Sequence, residues 1–414
     1  MKTLILLLIF FTHTAKALDL PLFPDSETKA ASAPFRKSQV AHFRVLVFPH
    51  VGLYSIPQGR ETAVKSVLVT SDGYCDAYAA SLDSNQEWIK SGPLLKHLNK
   101  VTLNVTALLG RSGLPSPIYY ECNSPFLINR PAPLRSLEYS GSFVATTDGT
   151  KVELINIIDP ETYIKGVVPA EVEASWPKET LEAQAIAART YAWWSVLQAR
   201  LHAAPYDMDD TVFYQAYLGN YKRNPATDSA SDETSGQVMR HAGEIIKAYF
   251  AADSGGFTED AVSVFGVNLP YCVAKREVYD LTQTQTAWTK NFTTSEFQNQ
   301  MLAFHFIPAG ISVRNVYLDP SDVDTSGRVM RIHILGSNGK VYLVGGNDFR
   351  YRTKIRSNLF QLSFSREGLV INGKGYGHGV GMAQIGALQY SKQFGWNHDQ
   401  ILQFYYTGVT IADD

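Results

Sequence analysis

A glutamate, Glu171, stands in the Pro-flanked stretch VVPAEVEASWP, directly before an alanine-rich run that carries one arginine, Arg189, in an otherwise apolar interior. Apolar neighbours at Val167, Val168, Ala170, Val172 and Trp176 raise a carboxyl's pKa and keep it protonated, the state a general acid needs. Glu173, two positions on, is the competing candidate. A guanidinium on an Ala-rich helix must find carboxylate, phosphate or carbonyl partners, and a structural ion pair and a substrate clamp both satisfy that need. His378 is flanked by glycines within GKGYGHGVG, a setting open to a loop-held histidine or to one touching substrate. The other histidines are scattered, and neither HExxH, GxSxG nor GxGxxG occurs, so zinc-hydrolase, nucleophile-elbow and dinucleotide chemistries are poorly supported.

These groups need elements to position them. Asp159-Pro160-Glu161 starts a short helix over Tyr163 to Val168 that should stop near Pro169, leaving Glu171 just past its end. A long helix follows from Pro177 or Lys178 to about Leu201, and its alanines let other backbone approach on several sides. The polar, aromatic and acidic connection 204–221 could wall a groove. A helix around Pro225 to Ser235 precedes a hairpin, Gln237 to His241 with Glu244 to Ala251, which runs into Asp253-Ser254-Gly255-Gly256. Glycine at every second position from Gly373 to Gly381 would ruin an ordinary strand, so something must come very close to that backbone. Thr293 or Thr294 caps one helix, and Asn397 with Gln400 forms a capping box for the last. Arg350, Arg352, Lys354 and Arg356 alternate as if on one side of a strand.

The chain has 414 residues, enough for two or three compact units. Charged residues make up 18%, aromatic residues 12%, and the net charge is −2, so no basic excess argues for nucleic acid. Lys2, the short apolar run to Phe11 and Ala15-Lys16-Ala17 have the order of an export signal spanning 1–17, with no membrane anchor left after cleavage. Residues 18–40 read as a flexible leader, and 41–133 as a small, mostly β unit of unstated role. Cys75, Cys122 and Cys272 lie far apart, leaving open either a Cys75 to Cys122 pair or three separate thiols.

Four ordered stretches carry a family resemblance: IDPETYIKGVVPAEVEASWPKETLEAQAIAARTYAWW, TDSASDETSGQVMRHAGEIIKAYFAADSGGFTED, GGNDFRYRTKIRSNLF and GKGYGHGVGMAQIGALQYSKQFGWNHDQILQFYYTGVTI. From about Leu137 onward the chain resembles the stage II sporulation protein D family, SpoIID, which includes the amidase modifier LytB. The resemblance implies an α+β fold with mixed and antiparallel sheets, a long alanine-rich helix beside the site, and a catalytic domain over 134–414. It implies a lytic transglycosylase acting on peptidoglycan glycan strands, in which one carboxyl serves as acid and then as base while the 6-hydroxyl of the muramyl sugar attacks its own C1. Stem-stripped glycan is the expected substrate. The alternative is a non-catalytic glycan-binding activator of a cell-wall amidase, with that amidase as a partner. By position Glu171 takes the acid role and Arg189 falls on the family's arginine. The expected substrate-binding set is Arg189, Gln184, Ser254, Gly255, Gly256, Gly377, His378, Gly379 and Gln384. Some relatives hold zinc through Cys and His after the long helix, but Asp207 to Tyr217 contains neither, so no metal or other cofactor is expected. Cys272 stands where the family has an apolar residue, which implies a buried free thiol.

Overall fold

The computed structural model describes residues 37–47, 65–111, 117–130, 134–147, 149–279 and 286–413. The export signal expected at 1–17, and most of the leader, lie outside the described residues. Among those described, no helix is long and apolar enough to cross a membrane.

The fold is α+β. Nine strands make one mixed sheet: β1 (Phe43–Val47), β2 (Ser66–Leu82), β3 (Trp88–Asn104), β4 (Ile118–Cys122), β5 (Phe126–Ile128), β6 (Leu137–Tyr139), β7 (Ser142–Thr147), β8 (Val152–Ile158) and β9 (Met208–Asp209). Their order is β6-β5-β2-β4-β7-β8-β1-β9, with β3 paired to β2. The boundary expected at residue 133 thus falls between two neighbouring strands, β5 and β6. All five residues of β1 are buried because it lies between β8 and β9, and its apolar run suits a strand covered on both faces. Phe43 packs edge-on against Tyr163 and Trp193, ring centroids 5.7 and 4.8 Å away, and its full burial stabilises the fold by about 3 kcal/mol. Cys75 and Cys122 face each other across β2 and β4 and form a disulfide. Cys272 is a buried free cysteine, as the resemblance implied.

Helix α1 (Pro160–Glu171) is capped by Asp159, which accepts from the Thr162 amide. It does not stop at Pro169. A proline in the last turn removes one hydrogen bond, but the Val172 amide still reaches the Val168 carbonyl, so the helix continues and Glu171 is its final residue. Helix α2 (Lys178–Leu201) runs where the sequence placed it, about 36 Å long. Its alanines at 183, 185, 187, 188, 192 and 199 are buried, because α1, the helix α3 (Pro225–Glu233) and C-terminal elements pack around it.

Beyond α3 the chain makes β10 (Gln237–His241), β11 (Glu244–Ile245), β12 (Phe250–Ala251), α4 (Ala261–Phe265), β13 (Ala287–Thr293), α5 (Thr294–Ala303), β14 (Val313–Tyr317), β15 (Arg331–Gly336), β16 (Val341–Gly345), α6 (Gly346–Thr353), β17 (Phe360–Phe364), β18 (Gly368–Lys374), β19 (Met382–Ala383), α7 (Gln384–Phe394), α8 (His398–Tyr405) and β20 (Thr410–Asp413). Four small sheets result: β11-β10-β20, β12-β19, β13-β18-β17 and β14-β15-β16. Both capping boxes form, Thr293 with Glu296 and Asn397 with Gln400.

Two further expectations are corrected. The strand expected over Glu244 to Ala251 divides, since β11 pairs with β10 whereas β12 turns away to pair in parallel with β19. The first half of the alternating basic segment, Arg350 and Arg352, lies on the helix α6 and not on a strand. Asp348 accepts from Arg352 at 2.7 Å across one turn, and Lys354 closes the helix in the left-handed conformation at φ 57°.

Candidate active site

Glu171 is half-buried at the end of α1. One carboxylate oxygen accepts from the Ala216 amide at 2.6 Å, and the other from the Gln384 side-chain amide at 3.2 Å. Ala216 belongs to the acidic, aromatic connection after α2, and Gln384 is the first residue of α7, so three distant segments converge on one carboxyl. Burial pushes that carboxyl above the ordinary glutamate range, against the two hydrogen bonds and the charge of Lys222. Glu173 is exposed and lacks this environment.

Gln384 also reaches Gln184 Oε1, at 3.4 Å from α2. The Gln184 Nε2 is buried with no partner. Gln184 thus orients the Gln384 amide so that it donates to Glu171, an arrangement that favours the ionised carboxylate. Tyr191, two residues beyond Arg189 on α2, has its hydroxyl pushed up by burial and by the nearby charges of Asp209, Tyr351 and Glu171, and Asp209 and Tyr351 are groups that sequence reasoning missed. Burial pushes Asp209 up to about 6, against hydrogen bonds from the Thr211 amide and hydroxyl at 2.9 and 2.7 Å. The run DMDD signals an acid in the sequence, but only the β1–β9 pairing brings it beside α2.

Arg189 is fully buried and pairs with Glu161 of α1 at 2.7 Å. It also donates to the carbonyls of Ser231 and Gln237, at 3.0 and 3.3 Å. Of the two roles open to it, clamp or structural ion pair, the geometry matches the ion pair. It ties α1, α2, α3 and β10 together, and thereby orients the helix that ends in Glu171.

Ser254 is fully buried. Its hydroxyl donates to Glu277 and accepts from the Gly256 amide at 3.0 Å, and its carbonyl accepts from Arg328 at 2.6 Å. Gly255 has φ +76° with Gly375 backbone against it. The close approach demanded by the alternating glycines comes from this part of the protein itself. A Cβ on Gly377 would lie 2.8 Å from Ala251 Cβ, one on Gly379 would strike the Arg328 guanidinium, and one on Gly381 the Tyr249 carbonyl. The two glycine segments expected to line a groove are thus packed on each other, joined by Asp253 and Tyr376 through paired backbone hydrogen bonds of 2.9 and 2.8 Å.

His378 packs edge-on against Tyr249 and Phe265 at 5.7 and 5.2 Å, and its Nδ1 accepts from the Val380 amide at 3.0 Å. Burial, with the charges of Arg350 and Arg328, lowers its pKa to about 3. A neutral ring results, suited to positioning rather than proton donation at neutral pH. Among the described residues the one group with metal-ligand spacing is Glu179, Glu182 and His398, in which His398 Nδ1 already contacts the two carboxylates at 2.9 and 3.2 Å.

Comparison with known proteins adds an independent line. The SpoIID profile, described as stage II sporulation protein, matches residues 148–241, which contain α1, Glu171, α2 and Asp209. An uncharacterized protein of Brachyspira hyodysenteriae is 34% identical over 299 residues, covering 72% of this chain and 76% of its own length. The stage II sporulation protein D of Bacillus subtilis is 28% identical over 284 residues, 64% of this chain and 77% of that one. The amidase enhancer of Bacillus subtilis is 28% identical over 295 residues, 60% of this chain, but the match spans only 40% of the enhancer.

Proposed function

The chain belongs to the SpoIID family, and on that premise we propose that it is an exported lytic transglycosylase cleaving the MurNAc–GlcNAc bond of peptidoglycan, with Glu171 as its acid and base. The observation that carries this reading is the Glu171 environment, a half-buried carboxyl held above its ordinary range and addressed by one backbone and one side-chain amide. Protonated Glu171 gives its proton to the glycosidic oxygen as that bond breaks. The resulting carboxylate then takes the proton of the muramyl 6-hydroxyl as its oxygen bonds to C1, leaving a 1,6-anhydro end and a regenerated acid. The substrate supplies its own nucleophile, so one carboxyl suffices where other glycosidases use two. The Ala216 and Gln384 donors favour the carboxylate formed between the two steps.

Export is supported by the signal-like N-terminus and by the disulfide, a bond that persists in oxidising compartments. Glycan stripped of stem peptides is the proposed substrate. The test is product analysis by mass spectrometry after incubation with intact and with amidase-stripped peptidoglycan. Anhydromuramyl ends are expected, and Glu171→Gln should lower their yield by roughly 10² to 10⁴.

A second reading is favoured by the relative named amidase enhancer: a glycan-binding activator of a cell-wall amidase. Under it, stimulation of the amidase survives Glu171→Gln. Under the catalytic reading the anhydro yield falls by that factor, so one variant separates the two.

A further inference from the structure

Helix α6 carries an arginine that the ion-pair network of the fold does not use. Arg350 is only 8% exposed. Its Nε is buried without a hydrogen-bond partner, and among the described residues the guanidinium makes no hydrogen bond and no ion pair. The carboxylate on its own helix, Asp348, is engaged by Arg352 at 2.7 Å. The other fully buried arginines behave differently: Arg44 and Arg200 share Asp207 at 2.6 and 2.8 Å, Arg189 holds Glu161, and Arg328 donates to two carbonyls at 2.8 and 2.6 Å. A buried cation left without a counter-ion is costly. Arg328 too has a buried Nε without a partner, but Arg350 differs from all four in making no hydrogen bond at any of its nitrogens among the described residues, which leaves its fork open to a ligand.

Its position says where. The guanidinium lies over the Tyr351 ring, 4.3 Å from the centroid. Tyr351 packs on Phe213 with ring centroids 6.2 Å apart, and Phe213 lies three residues before the amide that holds Glu171. A run of ring contacts thus leads from the cation through Tyr351 and Phe213 to the connection whose Ala216 amide holds Glu171. His378 lies near enough for the charges of Arg350 and Arg328 both to act on it, and of the two only Arg350 donates no hydrogen bond among the described residues.

We infer that Arg350 is a recognition residue that takes a carboxylate of the bound glycan in its guanidinium fork. This rests on the glycan reading above. The sugars themselves are neutral, and peptidoglycan offers a carboxylate in two places: the lactyl group of muramic acid once its amide to the stem peptide is hydrolysed, and the free carboxylates of the stem peptide itself. A planar five-donor fork matches either.

The test uses the full chain carrying Glu171→Gln, so that ligands are not turned over, and isothermal titration with three probes. These are a GlcNAc–MurNAc oligosaccharide with a free lactyl carboxylate, the same oligosaccharide as its lactyl methylamide, and the oligosaccharide carrying the stem peptide. An anionic probe should bind on the order of tenfold to a hundredfold tighter than the methylamide. Adding Arg350→Gln should abolish that difference while leaving methylamide affinity in place, and Arg350→Lys should restore part of it. Preference for the free lactyl form assigns the carboxylate to stripped glycan, and preference for the peptide form assigns it to the stem. Since Arg350 makes no hydrogen bond or ion pair among the described residues and buries its Nε without a partner, the melting temperature of Arg350→Gln should equal or exceed that of the parent. Binding of all probes without discrimination, or a loss shared equally with the neutral probe, overturns the role of Arg350 and leaves the glycan reading standing. Binding of none of them overturns both.

Discussion

At Glu171 burial and hydrogen bonding pull in opposite directions, and burial wins. Removing an amide that stabilises the carboxylate should therefore raise its pKa further. Gln384→Leu deletes the 3.2 Å bond, and we expect the alkaline limb of the activity profile to move to higher pH, measured as kcat/KM against pH. A limb that stays in place would show that Gln384 does not act on Glu171. Asp209 permits a stability test. Its folded pKa is raised by burial from the ordinary 3.8 to about 6, so folding favours the protonated form, and the stability present in acid is lost as pH rises through about 6. Asp209→Asn keeps an acceptor for Thr211. It should match the parent at pH 4 and exceed it at pH 8 by up to about 3 kcal/mol in chemical denaturation. Glu171 was legible in the sequence because its apolar neighbours are adjacent in the chain. Asp209 and Arg350 were not, since an acid's burial by β1 pairing and an arginine's want of a partner exist only in three dimensions.

Helices were readable where local chemistry decides them. Alanine spacing delimited α2, and the Thr293 and Asn397 caps marked α5 and α8. Reading failed where tertiary contacts overrule local signals. The basic alternation of 350–356 imitates a strand, yet α6 forms with its Phe349 in the core beneath β15 and β16. Arg189 illustrates the same limit: its need for partners was plain, but the choice between ligand and Glu161 depended on how α1 crosses α2. Glu161→Ala should cost about 3 kcal/mol in urea denaturation, because a fully buried guanidinium loses its counter-charge. It should also depress activity by loosening the helix that presents Glu171. The alternating glycines belong to this scale too. Gly381→Ala places a Cβ against the Tyr249 carbonyl at φ +72°, and we expect loss of soluble folded protein rather than loss of substrate affinity alone. Soluble, fully folded Gly381→Ala protein would contradict that account of the glycines.

Across the whole molecule, the strands before residue 130 and those after 134 share one sheet, and the disulfide staples β2 to β4 within it. A bridge enclosing 47 residues stabilises by about 4 kcal/mol in the chain-entropy description. Reduction, or Cys75→Ser with Cys122→Ser, should lower the denaturation midpoint accordingly. The same sheet supplies β9, and through β9 the connection whose Ala216 amide reaches Glu171. The large sheet is thus part of what positions the carboxyl. That carboxyl's chemistry is what the proposed function requires above all. Amidase-stripped peptidoglycan incubated with the parent protein and with Glu171→Gln, and resolved by mass spectrometry, tests it most directly. The prediction is 1,6-anhydromuramyl ends from the parent, with a yield lower by roughly 10² to 10⁴ from the variant. Equal yields from both proteins, or no anhydro ends from the parent, would contradict it.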